Sequence, residues 1–349
     1  MVQEAKNTLI IIIISVLLAF FFTFTNGFQD ASAIAATFIA SKSASPRKGI
    51  IFVAFFAFLG AMLGGTAVAF TISELFTIDS GMTTVYVMTV GILSATAWNL
   101  ITWKFGLPSS STHALIGGLT GSAVAAAGIG SVYWGFTELI LPPHELTGFT
   151  KIIFFLVISV VIGFVGSYLL QKTASFMLRN AKRTMNKNII RLNWIAVALM
   201  SFSNGSNDSQ KELGIIVLVL FSAGELAILD VPLWARVICA ALLGLGTLSG
   251  GWRIMKTLGD RIFKLHPLHS FDSQLSSGIS VALSTSLGAP VSSTHIISTS
   301  IIGVGAAENP KKVKWSTGRD IVIAMIMTIP VTMVISGTIY YFISYLTGI

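Results

Sequence analysis

The sequence predicts an all-α polytopic membrane protein made of two inverted-topology repeats, with broken helices and re-entrant helical hairpins. Three observations predict it. Of 349 residues, 54% are hydrophobic and only 10% charged, with a mean hydropathy of +0.82, whereas soluble domains carry about 25% charged residues. Two polar motifs interrupt the apolar sequence, and each occurs twice in the same order. Phe24-Thr25-Asn26-Gly27-Phe28-Gln29-Asp30 returns as Phe202-Ser203-Asn204-Gly205-Ser206-Asn207-Asp208, and Pro108-Ser109-Ser110-Ser111-Thr112-His113 returns as Pro290-Val291-Ser292-Ser293-Thr294-His295. The first pair is offset by 178 positions and the second by 182, which marks a duplicated unit. The third observation is the charge pattern of the connections, taken up after the elements.

The apolar segments run over 8–41, 49–72, 82–107, 109–130, 151–171, 190–223, 232–252, 273–288, 291–307 and 320–346. Segments 8–41 and 190–223 exceed the ~20 residues needed to span a bilayer. Each contains an Asn-Gly-x-x-Asp run, so each is expected to break near its middle. Segments 273–288 and 291–307 are short for full spans and meet at Gly288-Ala289-Pro290, the signature of a re-entrant hairpin. In the first copy, 82–107 and 109–130 meet at Gly106-Leu107-Pro108, with a first arm long enough to cross. Irregular backbone at such depth is tolerated only inside protein or along a cavity. The N-terminal segment lacks a good cleavage site and is expected to be a retained helix, not a signal peptide. The only cysteine, Cys239, lies in an apolar run, which leaves no intrachain disulfide or thiolate metal site to expect.

The net charge of +8 comes from basic residues in the short connections, a topological signal and not a nucleic-acid surface. The connection 172–191 holds Lys172, Arg179, Lys182, Arg183, Lys187 and Arg191, which places it in the cytoplasm. Counting outward from it, Arg253, Lys256, Arg261 and Lys264 fall inside, as do Lys311, Lys312 and Lys314, while Glu225 and Asp230 fall outside. Counting backward, Glu138, Glu145, Glu74 and Asp79 fall outside and Lys42, Arg47 and Lys48 inside. Both termini are then extracytoplasmic, the first repeat starts outside and the second inside. The expected organisation is a first repeat 1–130, a connecting region 131–190 with one transmembrane helix and the basic loop, a second, inverted repeat 191–307 and a C-terminal transmembrane helix 308–349.

Inverted repeats with broken helices point to a secondary transporter whose site lies near the bilayer midplane. Ser and Thr after Pro suit a helix N-terminus, where they cap free N–H groups. Such ends bind anions, and Ser109, Ser110, Ser111 and Thr112 with Ser292, Ser293 and Thr294 form a candidate cradle for a tetrahedral oxyanion. Asp30 and Asp208 would repel that anion without an intervening cation. A carboxylate flanked by Asn and hydroxyls suits a small hard cation, and an intramembrane carboxylate costs roughly 2.5–3.5 kcal/mol, which favours function over structure. The candidate sodium ligands are Thr25, Asn26 and Asp30 on one side and Ser203, Asn204 and Asp208 on the other. No basic residue in either motif is expected to neutralise these carboxylates.

With these motifs in place, the chain resembles the inorganic phosphate transporter (PiT) family. Gly205-Ser206-Asn207-Asp208 and Pro290-Val291-Ser292-Ser293-Thr294-His295 fit its motifs well, and Thr257-Leu258-Gly259 through Ser273-Gln274-Leu275 is similar too. The first copy departs, with Gln29 where Asn is usual and Ala33 in place of a second Asn. The resemblance implies cation-driven uptake of inorganic phosphate through the plasma membrane, by sodium or by protons, and some relatives carry sulfate. It adds Gln29 and Asn207 to the phosphate-binding candidates. The expected partners are phosphate, sodium as a co-transported ion, and the lipid bilayer. A homodimer is compatible, while no cofactor, nucleic acid or catalysis is expected.

Other residues take structural readings at this stage. His113 and His295 are read as hydrogen-bonding residues and stay outside the site, although a proton relay is open to them. Lys104 and Lys211 read as snorkelling or carboxylate-paired side chains. Trp98, Trp103 and Trp134 read as interface or packing aromatics. A channel lined by the same hydroxyls accounts less well for inverted repeats, and a phosphoesterase lacks any metal-hydrolase helix motif or nucleophile elbow.

Overall fold

The computed structural model describes residues 2–78, 80–107, 109–142, 144–182, 184–250, 255 and 262–347. Among them are twelve α-helices: α1 (Val2–Ala40), α2 (Pro46–Leu63), α3 (Ala67–Ser73), α4 (Met82–Phe105), α5 (Ser111–Ala127), α6 (Phe136–Ile140), α7 (Gly148–Met177), α8 (Met185–Ser222), α9 (Leu233–Ser249), α10 (Pro267–Ser286), α11 (Ser293–Glu308) and α12 (Trp315–Thr347). Five of them, α1 from Thr8 onward, α2, α4, α7 and α12 to Leu346, are long and apolar enough to cross a bilayer. The protein is an all-helical, multi-pass membrane protein.

The expected breaks in the two longest segments are absent. Helix α1 is continuous over 39 residues and α8 over 38, straight through the Asn-Gly motifs. The glycines serve helix crossing instead. A Cβ on Gly27 would lie 3.1 Å from Gly246 Cα of α9, and one on Gly205 would lie 2.8 Å from Ala57 Cα of α2. Small residues at such crossings let two backbones approach closely. In this way α1 packs on α9, and α8 packs on α2.

A break occurs elsewhere, in the segment read as 49–72. Gly64 ends α2, and α3 restarts after Thr66. Arg236 Nη1 donates to Gly64 O at 2.5 Å, and Gln210 Oε1 accepts the Val68 amide at 2.9 Å, so the free backbone groups of the gap find side-chain partners. The arm read as 273–288 is also longer than expected. Its polar first turn begins at Pro267, capped through the His266 amide donating to His269 Nδ1 at 3.1 Å. Thr257, Leu258 and Gly259, which open the segment similar to the family, lie outside the described residues, as do Arg253, Lys256, Arg261, Asp79 and Arg183 of the charge reading.

Two apolar cores flank a polar middle. One gathers Ile12, Ala19 and Phe22 of α1 with Leu213, Ile215 and Val219 of α8; the other gathers Ala31, Ile34 and Phe38 of α1 with Val197 and Met200 of α8. Thus α1 passes from the first core to the second and α8 from the second to the first. Between them, both helices bury the motif residues. Two helical hairpins, α4/α5 and α10/α11, complete the frame, with α12 packed on α5 and α7 on α11.

Candidate functional site

The hairpin tips are built alike. Gly106 follows α4 at φ +65° and Gly288 follows α10 at φ +69°, a left-handed conformation that glycine adopts without cost. Each chain then enters its second arm through a serine N-cap. Ser110 Oγ accepts the His113 amide at 3.1 Å and Ser292 Oγ accepts the His295 amide at 3.4 Å, each cap contributing about 1 kcal/mol. The caps were legible in the sequence. Pro290 lies two residues before its cap and so rigidifies the tip without entering the first turn, and Pro108 is outside the described residues.

The two helix starts face one another and converge on α1. Ser111 Oγ of α5 donates to Asp30 Oδ2 at 2.5 Å, and Thr294 Oγ1 of α11 donates to Asp30 Oδ1 at 2.6 Å. The rings of His113 and His295, three residues after the caps, meet edge to face with centroids 4.9 Å apart. The Asp30 carboxylate therefore lies at the first turns of two opposed helices. Such ends combine free N–H groups with hydroxyl donors.

Asp208 is held differently. Lys211 Nζ lies 2.6 Å from Asp208 Oδ1, one helical turn away, and donates to Thr112 Oγ1 at 2.6 Å. Thr112 in turn donates to Val291 O at 2.8 Å. Both charged side chains are 1% exposed. For Asp208 this overturns the expectation that no basic residue neutralises the carboxylates, and it makes Lys211 a carboxylate partner. A third buried carboxylate, Glu212, accepts from Asn26 Nδ2 at 2.7 Å. It was missed in the sequence, where a Lys-Glu pair inside a membrane-length segment was signal enough.

Several candidates also make contacts within the frame. Gln29 Nε2 donates to Ser109 O at 3.1 Å, and Asn207 Nδ2 donates to Ala289 O at 3.0 Å and Thr285 Oγ1 at 2.9 Å while its Oδ1 accepts the Val291 amide. These amides clamp the two hairpin tips, and Asn207 has its amide fully engaged. Ser109 Oγ accepts from the Trp98 indole at 2.9 Å. Thr25 Oγ1 donates to Phe22 O at 2.8 Å and accepts from Asn99 Nδ2 at 3.5 Å. Ser203 lines a groove of about 460 Å³ with Ser206, Gln210 and Thr285. Asn26 and Asn204 lie one turn before their carboxylates on the same helix faces. Asn26 Oδ1, Asn204 Oδ1, Asp208 Oδ2, Glu212 Oε2 and Ser293 Oγ are buried without a hydrogen-bond partner among the described residues. Buried polar atoms are ordinarily satisfied, which makes these oxygens candidates for contact with a ligand. Lys104 is exposed and far in character from this cluster.

A family model described as "Phosphate transporter family" matches residues 26–194 and 179–336. The chain is 38% identical to a "Probable low-affinity inorganic phosphate transporter" of Bacillus subtilis (strain 168), covering 96% of this chain and 97% of that one. A protein of the same name from Rhizobium meliloti (strain 1021) is also 38% identical, over 93% of both chains. A solved structure titled "The sodium-dependent phosphate transporter" superposes with a TM-score of 0.85 over 96% of this chain and 99% of that one, at 23% identity, so the fold is shared.

Proposed function

Because this chain belongs to the phosphate transporter family, whose named members are transporters and not enzymes, we propose that it imports inorganic phosphate across the plasma membrane by symport with sodium. The inference includes alternating access about a site between two inverted repeats. The observation behind it is the Asp30 carboxylate gripped by Ser111 and Thr294 from the two opposed hairpin helices.

That grip supplies a coupling mechanism. The carboxylate engages hydroxyl donors that phosphate requires, so phosphate binding requires Asp30 to give them up. A sodium ion taking Asp30, with Asn26 Oδ1 one turn away, releases Ser111 and Thr294 to donate to phosphate oxygens. Phosphate then binds where Asp30 had stood as its stand-in, and the cation between the two negative groups removes their repulsion. Sodium is the cation chosen because oxygen ligands of this kind suit a small hard ion and because the structural neighbour's title says sodium-dependent. Moving one charge through 100 mV is worth ~2.3 kcal/mol, so a phosphate dianion entering a negative interior costs roughly 4.6 kcal/mol without cation partners.

The inverted arrangement is supported by the opposite order in which α1 and α8 cross the two apolar cores, and by the reciprocal packing of α1 on α9 and α8 on α2. The repeats are taken as 1–130 and 191–307, with extracytoplasmic termini. The test is uptake of labelled phosphate into proteoliposomes with sodium and proton gradients imposed separately. An inward sodium gradient is expected to drive accumulation. Uptake that ignores sodium and follows the proton gradient would replace sodium by protons, and preference for labelled sulfate would replace the cargo.

A further inference from the structure

We propose that the Lys211 ammonium is a built-in substitute for one coupling cation, so that sodium binds beside Asp30 and not beside Asp208. The inference rests on the sodium reading above and narrows it to one carboxylate.

The duplication provides the internal control. Asp30 and Asp208 are equivalent positions, as are Ser111 and Ser293, Thr112 and Thr294, and Ala33 and Lys211. Asp30 receives one hydroxyl from each hairpin, Ser111 and Thr294. The equivalent pair for Asp208 is Ser293 and Thr112. Neither hydroxyl donates to it. Lys211 Nζ has come between Asp208 and Thr112, 2.6 Å from an oxygen of each and 3.5 Å from Val291 O. Thr112 presents its lone pairs to the ammonium and its proton to Val291 O, and Ser293 Oγ and Asp208 Oδ2 have no hydrogen-bond partner among the described residues.

The surroundings of Nζ are thus a carboxylate, a hydroxyl and a backbone carbonyl, the oxygen set that a hard monovalent cation would take. Lysine delivers a compact point charge on a flexible stem to that place, and the side chain is 1% exposed. In the first copy the stem is absent: Ala33, fully buried, stands where Lys211 stands in the second. The two carboxylates therefore face different demands. Asp30 needs a cation from solution before phosphate can replace it at the hydroxyls. Asp208 already has its cation, covalently tethered, which neither leaves with the cargo nor draws on an ion gradient. Each transport cycle then moves one sodium fewer than the two carboxylates suggest, and phosphate meets a permanent positive charge on the Thr112 side of its cradle.

The experiment uses the full chain. Purified wild-type protein, Lys211→Ala, Lys211→Met and Ala33→Lys are compared by equilibrium binding of radioactive sodium and by paired sodium and phosphate fluxes in proteoliposomes. Removing the ammonium should expose the second site: the alanine or methionine variant gains one bound sodium, and the Hill coefficient for sodium rises from about 1 to about 2. Ala33→Lys should fill the first site and abolish sodium binding while the protein still folds. Lys211 variants with wild-type sodium stoichiometry would overturn the inference, and so would Ala33→Lys with undiminished sodium binding. A wild-type protein that neither binds nor moves sodium would overturn the sodium reading instead. In that event sodium binding acquired by a Lys211 variant still supports the tethered cation, and its failure to appear overturns it.

Discussion

The two copies of the motif share a frame and differ in charge. Both hairpin tips turn on a left-handed glycine, Gly106 and Gly288, and both second arms start at a serine cap. Both are clamped by an amide from the long helix, Gln29 or Asn207. Within this common frame, Asp30 is bonded to two neutral hydroxyls whereas Asp208 is ion-paired with Lys211. The histidines diverge as well: His113 Nδ1 pairs with Ser110 Oγ at 2.8 Å, while neither ring nitrogen of His295 has a partner among the described residues. Duplication has kept what backbone geometry requires, and the positions free to change are those that set the charge of the site.

The sharpest way to break the comparison is to remove each carboxylate in turn. Asp208→Asn strands a buried ammonium and should destabilise the protein by about 3–5 kcal/mol, with the thermal unfolding midpoint as readout. Combining it with Lys211→Met removes both charges and should recover most of the loss. Asp30→Asn leaves no unpaired cation and should cost only about 1.5–3 kcal/mol in hydrogen bonding, while sodium-stimulated uptake disappears. Equal destabilisation by the two single variants would dissolve the distinction between the copies.

A smaller effect is expected at the hydroxyls. Thr294→Val removes a donor to a carboxylate and Thr112→Val removes a link between Lys211 and Val291 O, each bond to a charged group contributing about 1.5–3 kcal/mol. Phosphate affinity should fall in both, about 10-fold or more, and the sodium dependence of uptake should change in Thr294→Val alone. Sodium dependence altered equally in both variants would mean that the two sides of the cradle see the same cation.

The smallest contrast lies at the tips. Asn207→Ala cuts three bonds to the second hairpin, whereas Gln29→Ala cuts one at 3.1 Å and a longer one to Thr102 at 3.4 Å. At about 0.5–1.5 kcal/mol per neutral bond, hydrogen exchange should quicken more around residues 287–291 in the first variant than around 106–109 in the second. The reverse order would make Gln29 the stronger clamp.

Read on its own, the sequence determined the membrane class, the duplication, both serine caps and the positions of the two aspartates, because these follow from composition, spacing and local backbone chemistry. It misassigned Gly27 and Gly205 as breakers, since a glycine that frees the chain to bend and one that admits a neighbouring backbone look identical in one dimension. Only the crossing with α9 and α2 separates the two uses. The partners of Asp30, the capture of Asp208 by Lys211 and the pairing of Asn26 with Glu212 were likewise decided in three dimensions. Thr294 is 264 positions from Asp30, and Glu212 is 186 from Asn26. Even Lys211, one turn from its carboxylate along α8, needed Thr112 and Val291 of two different hairpins to complete its surroundings. Which charge meets which carboxylate depends on how α1, α8 and the two hairpin tips converge, and that convergence is a property of the packed bundle.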